Sequence, residues 1–233
     1  MNKIAIAIAA GAILLSGCTT DKSRNAEQNN SAGDHKVLLT EDKSQKIAVY
    51  GVSKPESGYS PLTVQLDNES RDYEWSNTSN PSFYPKVILS DLNGVEGDEI
   101  AVVLTISTGT GVRESEVHVL TADFTEIPVS DPKDSVRNKI SSVLQKGNGE
   151  REYTISVSGK DYSFKFNESD AGIWFDQPVV GNIVRYFIQD HVLMAELSIQ
   201  ISPGMFIGNV LMRYAYVNGT LEPDDIVYQK ESL

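Results

Sequence analysis

The chain of 233 residues carries a formal net charge of −12, with 40% apolar and 22% charged residues. This balance is typical of a globular protein, and the length is sufficient to bury a sizeable core. The acidic charge argues against a nucleic-acid partner, because the surface would repel phosphate and no basic stripe interrupts it. The single cysteine, Cys18, excludes an internal disulfide framework.

The first 17 residues have the pattern of a secretory signal peptide. Lys3 supplies a short positive region, and residues 4–15 form an apolar stretch that is too short for a comfortable transmembrane helix. The following Leu15-Ser16-Gly17-Cys18 resembles the lipobox of bacterial lipoproteins. The resemblance implies cleavage before Cys18, a thioether-linked diacylglycerol on Cys18 and further acylation by a chain such as palmitate. The alternative is an ordinary signal peptide or membrane anchor with an incidental cysteine.

The rest of the chain divides into a tether and two β-rich units. Residues 18–36 are polar, with almost nothing to bury, and we expect a flexible tether that holds the folded part on the extracytoplasmic side of the cell membrane. Residues 37–129 are predicted to form a first β unit. Residues 130–233 are predicted to form a helix followed by antiparallel β hairpins.

The first β unit centres on residues 84–120, which predict a strand, an acidic loop, a second strand, a turn and a third strand. An aromatic and polar segment, residues 69–85, precedes it. Trp75 and Tyr84 of this segment either form a binding surface or cover the edge of a β core.

One helix is predicted in the second unit. Asp131 and Pro132 are typical of a helix start, and Gly147 is typical of an end. Between them, apolar residues recur at helical spacing: Val136, Ile140, Val143 and Leu144. This pattern predicts a helix over residues 132–146.

Three β hairpins are predicted after this helix. Their turns lie around Ser158-Gly159, Asp190-His191 and Asn218-Gly219, and Asn-Gly is the strongest two-residue hairpin signal. The predicted fold class is therefore mainly β, with antiparallel sheets in a sandwich-like or partial-barrel arrangement and one short helix near 132–146.

The acidic loop carries a second resemblance. Residues 91–100, DLNGVEGDEI, are similar to the loop of bacterial VCBS and FG-GAP repeat proteins, whose pattern is approximately D-x-[DN]-G-D-G-x-x-[DE]-[IVL]. The resemblance implies a weak Ca²⁺ site on Asp91, Asn93, Glu99 and the carbonyl of Gly97, with Val95 at a position where the family supplies an oxygen. The alternative is a metal-free turn whose polar side chains bind their own backbone. The loop occurs once, which disfavours a propeller.

A second candidate constellation is Glu114, Glu116 and His118, which share one face of a strand. Two carboxylates and an imidazole suit Zn²⁺ binding or acid–base chemistry, whereas the alternative is a solvated outer face. We predict no set of catalytic residues. The predicted function is a membrane-anchored, non-enzymatic binding module for an unknown protein or cell-envelope ligand. The alternative is a cell-envelope metal-assisted hydrolase using these three residues.

Overall fold

The computed structural model describes residues 35–55 and 57–230. The segment that resembles a lipobox, Cys18 and nearly all of the predicted tether lie outside the described residues. Among the residues described, no helix is both long enough and apolar enough to cross a membrane.

The described chain is built almost entirely from β strands. The first part contains β1 (Lys36–Asp42), β2 (Ile47–Lys54), β3 (Gly58–Leu66), β4 (Glu69–Tyr73), β5 (Lys86–Ser90), β6 (Glu99–Gly109), β7 (Val112–Leu120) and β8 (Glu126–Ile127). A short helix, α1 (Pro132–Arg137), follows. The second part contains β9 (Ile140–Gly147), β10 (Glu150–Val157), β11 (Lys160–Asn167), β12 (Val179–Gln189), β13 (Val192–Ser202), β14 (Met205–Val217) and β15 (Thr220–Gln229).

These strands form three sheets. Strands β1 to β4 form a four-stranded antiparallel sheet in chain order, and β9 to β11 form a three-stranded one. The largest sheet has the order β15-β14-β13-β12-β7-β6-β5, with β8 paired to β7. Its strands pair antiparallel except for β7 and β12, which run parallel. The prediction of a mainly β fold with antiparallel sheets and one short helix is confirmed.

Strand β6 is buried on both of its faces. Ala101 and Val103 belong to a core that also contains residues of β10 and of β12 to β15. Ile100, Val102 and Leu104 belong to a second core, shared with β1, β2 and β3 of the four-stranded sheet. A near-continuous apolar run is the sequence expected for a strand covered on two sides, because neither face meets water. Strand β6 therefore stands between the two cores.

The aromatic residues before β5 pack against the second core. Trp75 and Tyr84 are both partly buried there, and the Tyr84 hydroxyl lies 2.8 Å from the hydroxyl of Tyr59. Of the two interpretations of this segment, covering the edge of a core is the one that these contacts support.

The helix is shorter than predicted. It ends at Arg137, so the prediction of helix for residues 138–146 is wrong, and β9 occupies most of that segment. The apolar residues that suggested a helix also fit a strand: Ile140 and Leu144 lie on the more buried face, while Val143 is 59% exposed. Pairing with β10, in which Leu144 faces Tyr153, supplies a full ladder of hydrogen bonds. That ladder outweighs the weak gain from extending a six-residue helix through β-branched residues.

The three predicted hairpins are present, with two-residue turns. Asn218 and Gly219 have φ values of 51° and 91°, and Ser158 and Gly159 have φ values of 49° and 81°. Positive φ at both central positions matches the twist of the flanking strands, which explains why these residue types occupy the turns.

An ion pair in the three-stranded sheet predicts how the stability of the protein depends on pH. Arg151 donates from Nε and Nη2 to the two carboxylate oxygens of Glu168, at 2.6 and 2.8 Å. This guanidinium lowers the pKa of Glu168 below its ordinary value of 4.5. A carboxyl whose pKa is lower in the folded state contributes stability above its unfolded pKa and loses it as the pH falls through the folded pKa. We expect Glu168→Gln to remove this part of the acid-induced loss of stability.

Chemical denaturation at neutral pH and at a series of pH values below 4.5 measures the effect. Glu150→Gln, on a solvent-exposed glutamate of strand β10, is the control and should leave the acid dependence unchanged. Equal acid dependence in the Glu168→Gln variant and the unmodified protein would contradict the assignment.

Candidate functional site

The acidic loop between β5 and β6 is organised around the carboxylate of Glu99. This residue is only 4% exposed. Its Oε2 accepts hydrogen bonds from the backbone N–H groups of Leu92, at 2.7 Å, and Asn93, at 3.2 Å. Its Oε1 accepts a third from the Asn93 side-chain amide, at 2.5 Å. The charge of Glu99 is therefore used to fix the loop itself.

The other polar side chains of the loop also bind the loop backbone. Asp91 accepts from the N–H of Gly94 at 2.8 Å, and Asn93 accepts from the N–H of Val95 at 2.6 Å. Within residues 35–55 and 57–230, no group of three or more histidine, cysteine, aspartate or glutamate side chains is placed to hold a metal ion. The arrangement is that of a self-capped turn, and a Ca²⁺ site on Asp91, Asn93, Gly97 and Glu99 stays a prediction.

A cleft opens in the large sheet where β7 and β12 separate. The two strands share a single ladder pair, Arg113 with Ile183. Past that pair lies a cavity of about 200 Å³ between β7, β12 and the start of α1, which we name the β7–β12 cleft. Its polar lining comes from all three elements: Glu114, Ser115, Glu116, His118, Asp131, Lys133 and Tyr186.

All three residues of the second predicted constellation line this cleft, but only two of them meet. Oε2 of Glu116 lies 3.7 Å from Nε2 of His118. Glu114 instead pairs with Lys133, whose Nζ lies 3.2 Å from Oε1 of Glu114. The side chain of Glu116 is 56% exposed, so its carboxylate is free to meet a ligand at the mouth of the cleft.

His118 is held in place by contacts on its other sides. Its Nδ1 lies 2.7 Å from Oε1 of Glu126, and its ring stacks on Trp75 at a centroid distance of 3.8 Å. Trp75 stacks in turn on Tyr73 at 4.0 Å. A carboxylate accepts hydrogen bonds only, so Nδ1 carries a proton and donates to Glu126. Nε2 is buried and has no hydrogen-bond partner among the described residues.

The wall of the cleft opposite β7, formed by the start of α1 and by β12, also carries negative charge. Asp131 caps α1 by accepting from the N–H of Lys133 at 2.7 Å. Burial raises the pKa of the Tyr186 hydroxyl, and the negative charges of Asp131 and Glu116 raise it further. Tyr214, in contact with Tyr186, donates to the carbonyl of Ser130 at 2.9 Å and fixes this wall.

Three residues of this site were not predicted as site residues. Glu126 and Tyr186 sit in segments without a motif, and Asp131 had been assigned only to the helix start. Glu126 reaches His118 from β8, which pairs antiparallel with β7. Tyr186 joins the cleft because β12 lies beside β7 in the sheet, and this parallel pairing joins segments that are far apart along the chain. Local patterns contain no information on such a contact.

A serine–histidine contact lies elsewhere. Ser90 Oγ, at the start of the acidic loop, is 3.0 Å from Nδ1 of His191 in the β12–β13 turn. Ser90 is buried and therefore closed to a substrate. The contact joins the hairpin to the loop.

No protein-family model matches the chain, and no curated protein or solved structure matches it. The chain defines a mainly β protein in which strand β6 contributes to two cores and a polar cleft opens in the largest sheet. Its function has to be inferred from the residues of that cleft.

Proposed function

We propose that this protein is an extracytoplasmic lipoprotein, anchored to the cell membrane through Cys18, that acts as a non-enzymatic binding module. The β7–β12 cleft is the ligand site. The observation that carries the proposal is the set of polar groups in the cleft: the Nε2 atom of His118 and the Oγ atom of Ser115 are buried and have no partner among the described residues. Buried polar atoms of this kind are normally satisfied, and a ligand would satisfy them.

The rigidity of the cleft supports binding. His118 is fixed by Glu126 and Trp75, and Glu114 is fixed by Lys133, so the walls are formed before a ligand arrives. A preformed site spends little conformational entropy on ordering side chains, which favours affinity. The partner would be a protein or cell-envelope compound within reach of a tethered domain.

The binding function is tested by thermal melts of the full-length protein in detergent with fractions of cell-envelope material. A ligand that binds only the folded state raises the melting temperature. We expect at least one fraction to raise it, and the Tyr186→Ala variant to lose that increase. A melting temperature that no fraction changes would contradict the proposal.

The anchor gives a second prediction. Cys18 lies outside the described residues, and the lipobox resemblance assigns it the acyl chains. We expect Cys18→Ser to abolish lipid labelling and to leave the protein unprocessed or released from the membrane. Metabolic labelling with palmitate and fractionation of cells measure both effects. Ser16→Ala, which keeps a small residue before the cysteine, is the control and should remain lipidated. Mature Cys18→Ser protein that stays in the membrane fraction would contradict the anchor.

A metal-assisted hydrolase using Glu114, Glu116 and His118 is the alternative from a different class. One observation favours it: Glu126 orients the His118 ring so that Nε2 faces Glu116, an arrangement that suits a metal ligand or a general base. Assays of ester and peptide hydrolysis with added Zn²⁺ distinguish the two functions. Zinc-dependent hydrolysis that is lost in His118→Ala would favour the enzyme.

A further inference from the structure

We propose, on the basis of the proposed binding function, that the β7–β12 cleft takes a primary ammonium or guanidinium group on a short alkyl chain. The free group would come from a polyamine, and the same group occurs at the end of a lysine or arginine side chain. Both sources present the same chemistry to the cleft.

Among the described residues, the lining of the cleft offers mainly acceptors, and its one ammonium group is already paired. Glu116 and Asp131 present carboxylates, and His118 presents a buried Nε2 that has no hydrogen-bond partner among the described residues. Ser115, which also lines the cleft, is 6% exposed, and its hydroxyl has no hydrogen-bond partner among the described residues. The ammonium of Lys133 is already paired with Glu114. An alkylammonium group brings three donors and no acceptor, which complements this lining.

The charge of the cleft favours a cation. Glu114, Glu116 and Asp131 place three carboxylates around the cavity against the ammonium of Lys133. The chain as a whole has a net charge of −12, so the long-range field also draws cations toward it. Burial is the main cause of the raised pKa of the Tyr186 hydroxyl, and the nearby charges of Asp131 and Glu116 add to it.

The size of the cleft restricts the ligand to a chain end. A cavity of about 200 Å³ is smaller than the roughly 300–1,000 Å³ of pockets that enclose a whole drug-sized molecule. Its apolar walls, Val117, Val129 and Val184, would contact the methylene groups of the ligand. The aromatic side chain of Tyr186 also lines the cleft.

Isothermal titration calorimetry on the full-length protein in detergent at low salt tests the inference. The probes are 1,5-diaminopentane, 1-pentanol and pentanoate, which share the alkyl chain and differ in charge. We expect the diamine to bind and the other two to give no heat. Glu116→Gln should weaken binding by about tenfold, since it removes a charged hydrogen bond. Asp131→Asn should weaken it while retaining the helix cap. Lys133→Met should strengthen it, because it removes the competing cation.

The source of the ammonium group is distinguished by comparing a titration with an acetylated, amidated lysine peptide and a titration with the diamine. Tighter binding of the peptide assigns the cleft to a protein side chain, and tighter binding of the diamine assigns it to a free polyamine; both support the ammonium class. Binding of pentanol or pentanoate with no binding of the diamine would overturn the ligand class and leave the binding function standing. Diamine binding that is equal in Glu116→Gln, Asp131→Asn and the unmodified protein would overturn the site. Zinc binding that depends on Glu116, without diamine binding, would also overturn it.

Discussion

Replacing Leu104 with alanine is expected to lower the free energy of unfolding by about 2–5 kcal/mol. Leu104 is fully buried in β6, in the core that this strand shares with the four-stranded sheet. The substitution removes apolar surface and leaves a cavity that a strand packed on both of its faces has little freedom to close. Chemical denaturation followed by tryptophan fluorescence measures the loss.

A second variant tests whether the two cores that share β6 unfold together. Leu197→Ala lies in the other core, and both variants should shift one cooperative transition, because β6 contributes residues to both cores. Val143→Ala is the control: this residue is 59% exposed on β9, and its effect should stay within about 0.5 kcal/mol. Two separate transitions, of which each variant moves only one, would show that the cores unfold independently.

Replacing Glu99 with alanine is the second large expected effect. The carboxylate accepts hydrogen bonds from the N–H groups of Leu92 and Asn93. Its removal leaves both donors without an acceptor at a largely buried position. An unsatisfied buried polar group costs about 1–3 kcal/mol, so we expect a loss of several kcal/mol. Thermal and chemical unfolding measure it. Asp98→Ala, on an exposed residue of the same loop, is the control and should be nearly neutral.

The same melts address Ca²⁺ binding by the loop. With Glu99 bound to the loop backbone, we expect the destabilisation of Glu99→Ala to persist in the presence of a chelator. If millimolar Ca²⁺ raises the melting temperature of the unmodified protein and the Glu99→Ala variant loses that increase, the loop is a metal site. A Glu99→Ala variant as stable as the unmodified protein in chelator would contradict a structural role for this carboxylate.

Local chemistry made the hairpins predictable. Asn218-Gly219 and Ser158-Gly159 occupy positions that need positive φ, and the flanking runs have strand character. The apolar run of β6 was equally readable as a strand. Its burial on both faces was not, because a continuous apolar sequence does not say which other strands cover it.

The prediction of a helix beyond Arg137 was wrong for a physical reason that recurs in β proteins. Ile140 and Leu144 lie four residues apart, a spacing that fits one face of a helix and also one face of a strand. The free edge of β10 decided between the two, and this is a tertiary effect outside the reach of a local pattern.

The candidate site, too, was predictable only in part. Glu114, Glu116 and His118 were predicted to share a face, and all three line the β7–β12 cleft. Their partners were not predictable, because Trp75 comes from the segment before β5 and Tyr186 from a strand added in parallel. In the acidic loop, the position of Glu99 was predicted from the resemblance, whereas its use as an acceptor for the loop backbone required the structure.

The most direct test of the cleft as the ligand site is an amide NMR titration of the full-length protein in detergent micelles with 1,5-diaminopentane. The predicted result is a set of saturable shifts confined to residues 114–118, 129–133 and 184–186, which form the walls of the cleft. Shifts confined to residues 91–99 of the acidic loop, or no saturable shifts at the cleft, would contradict it.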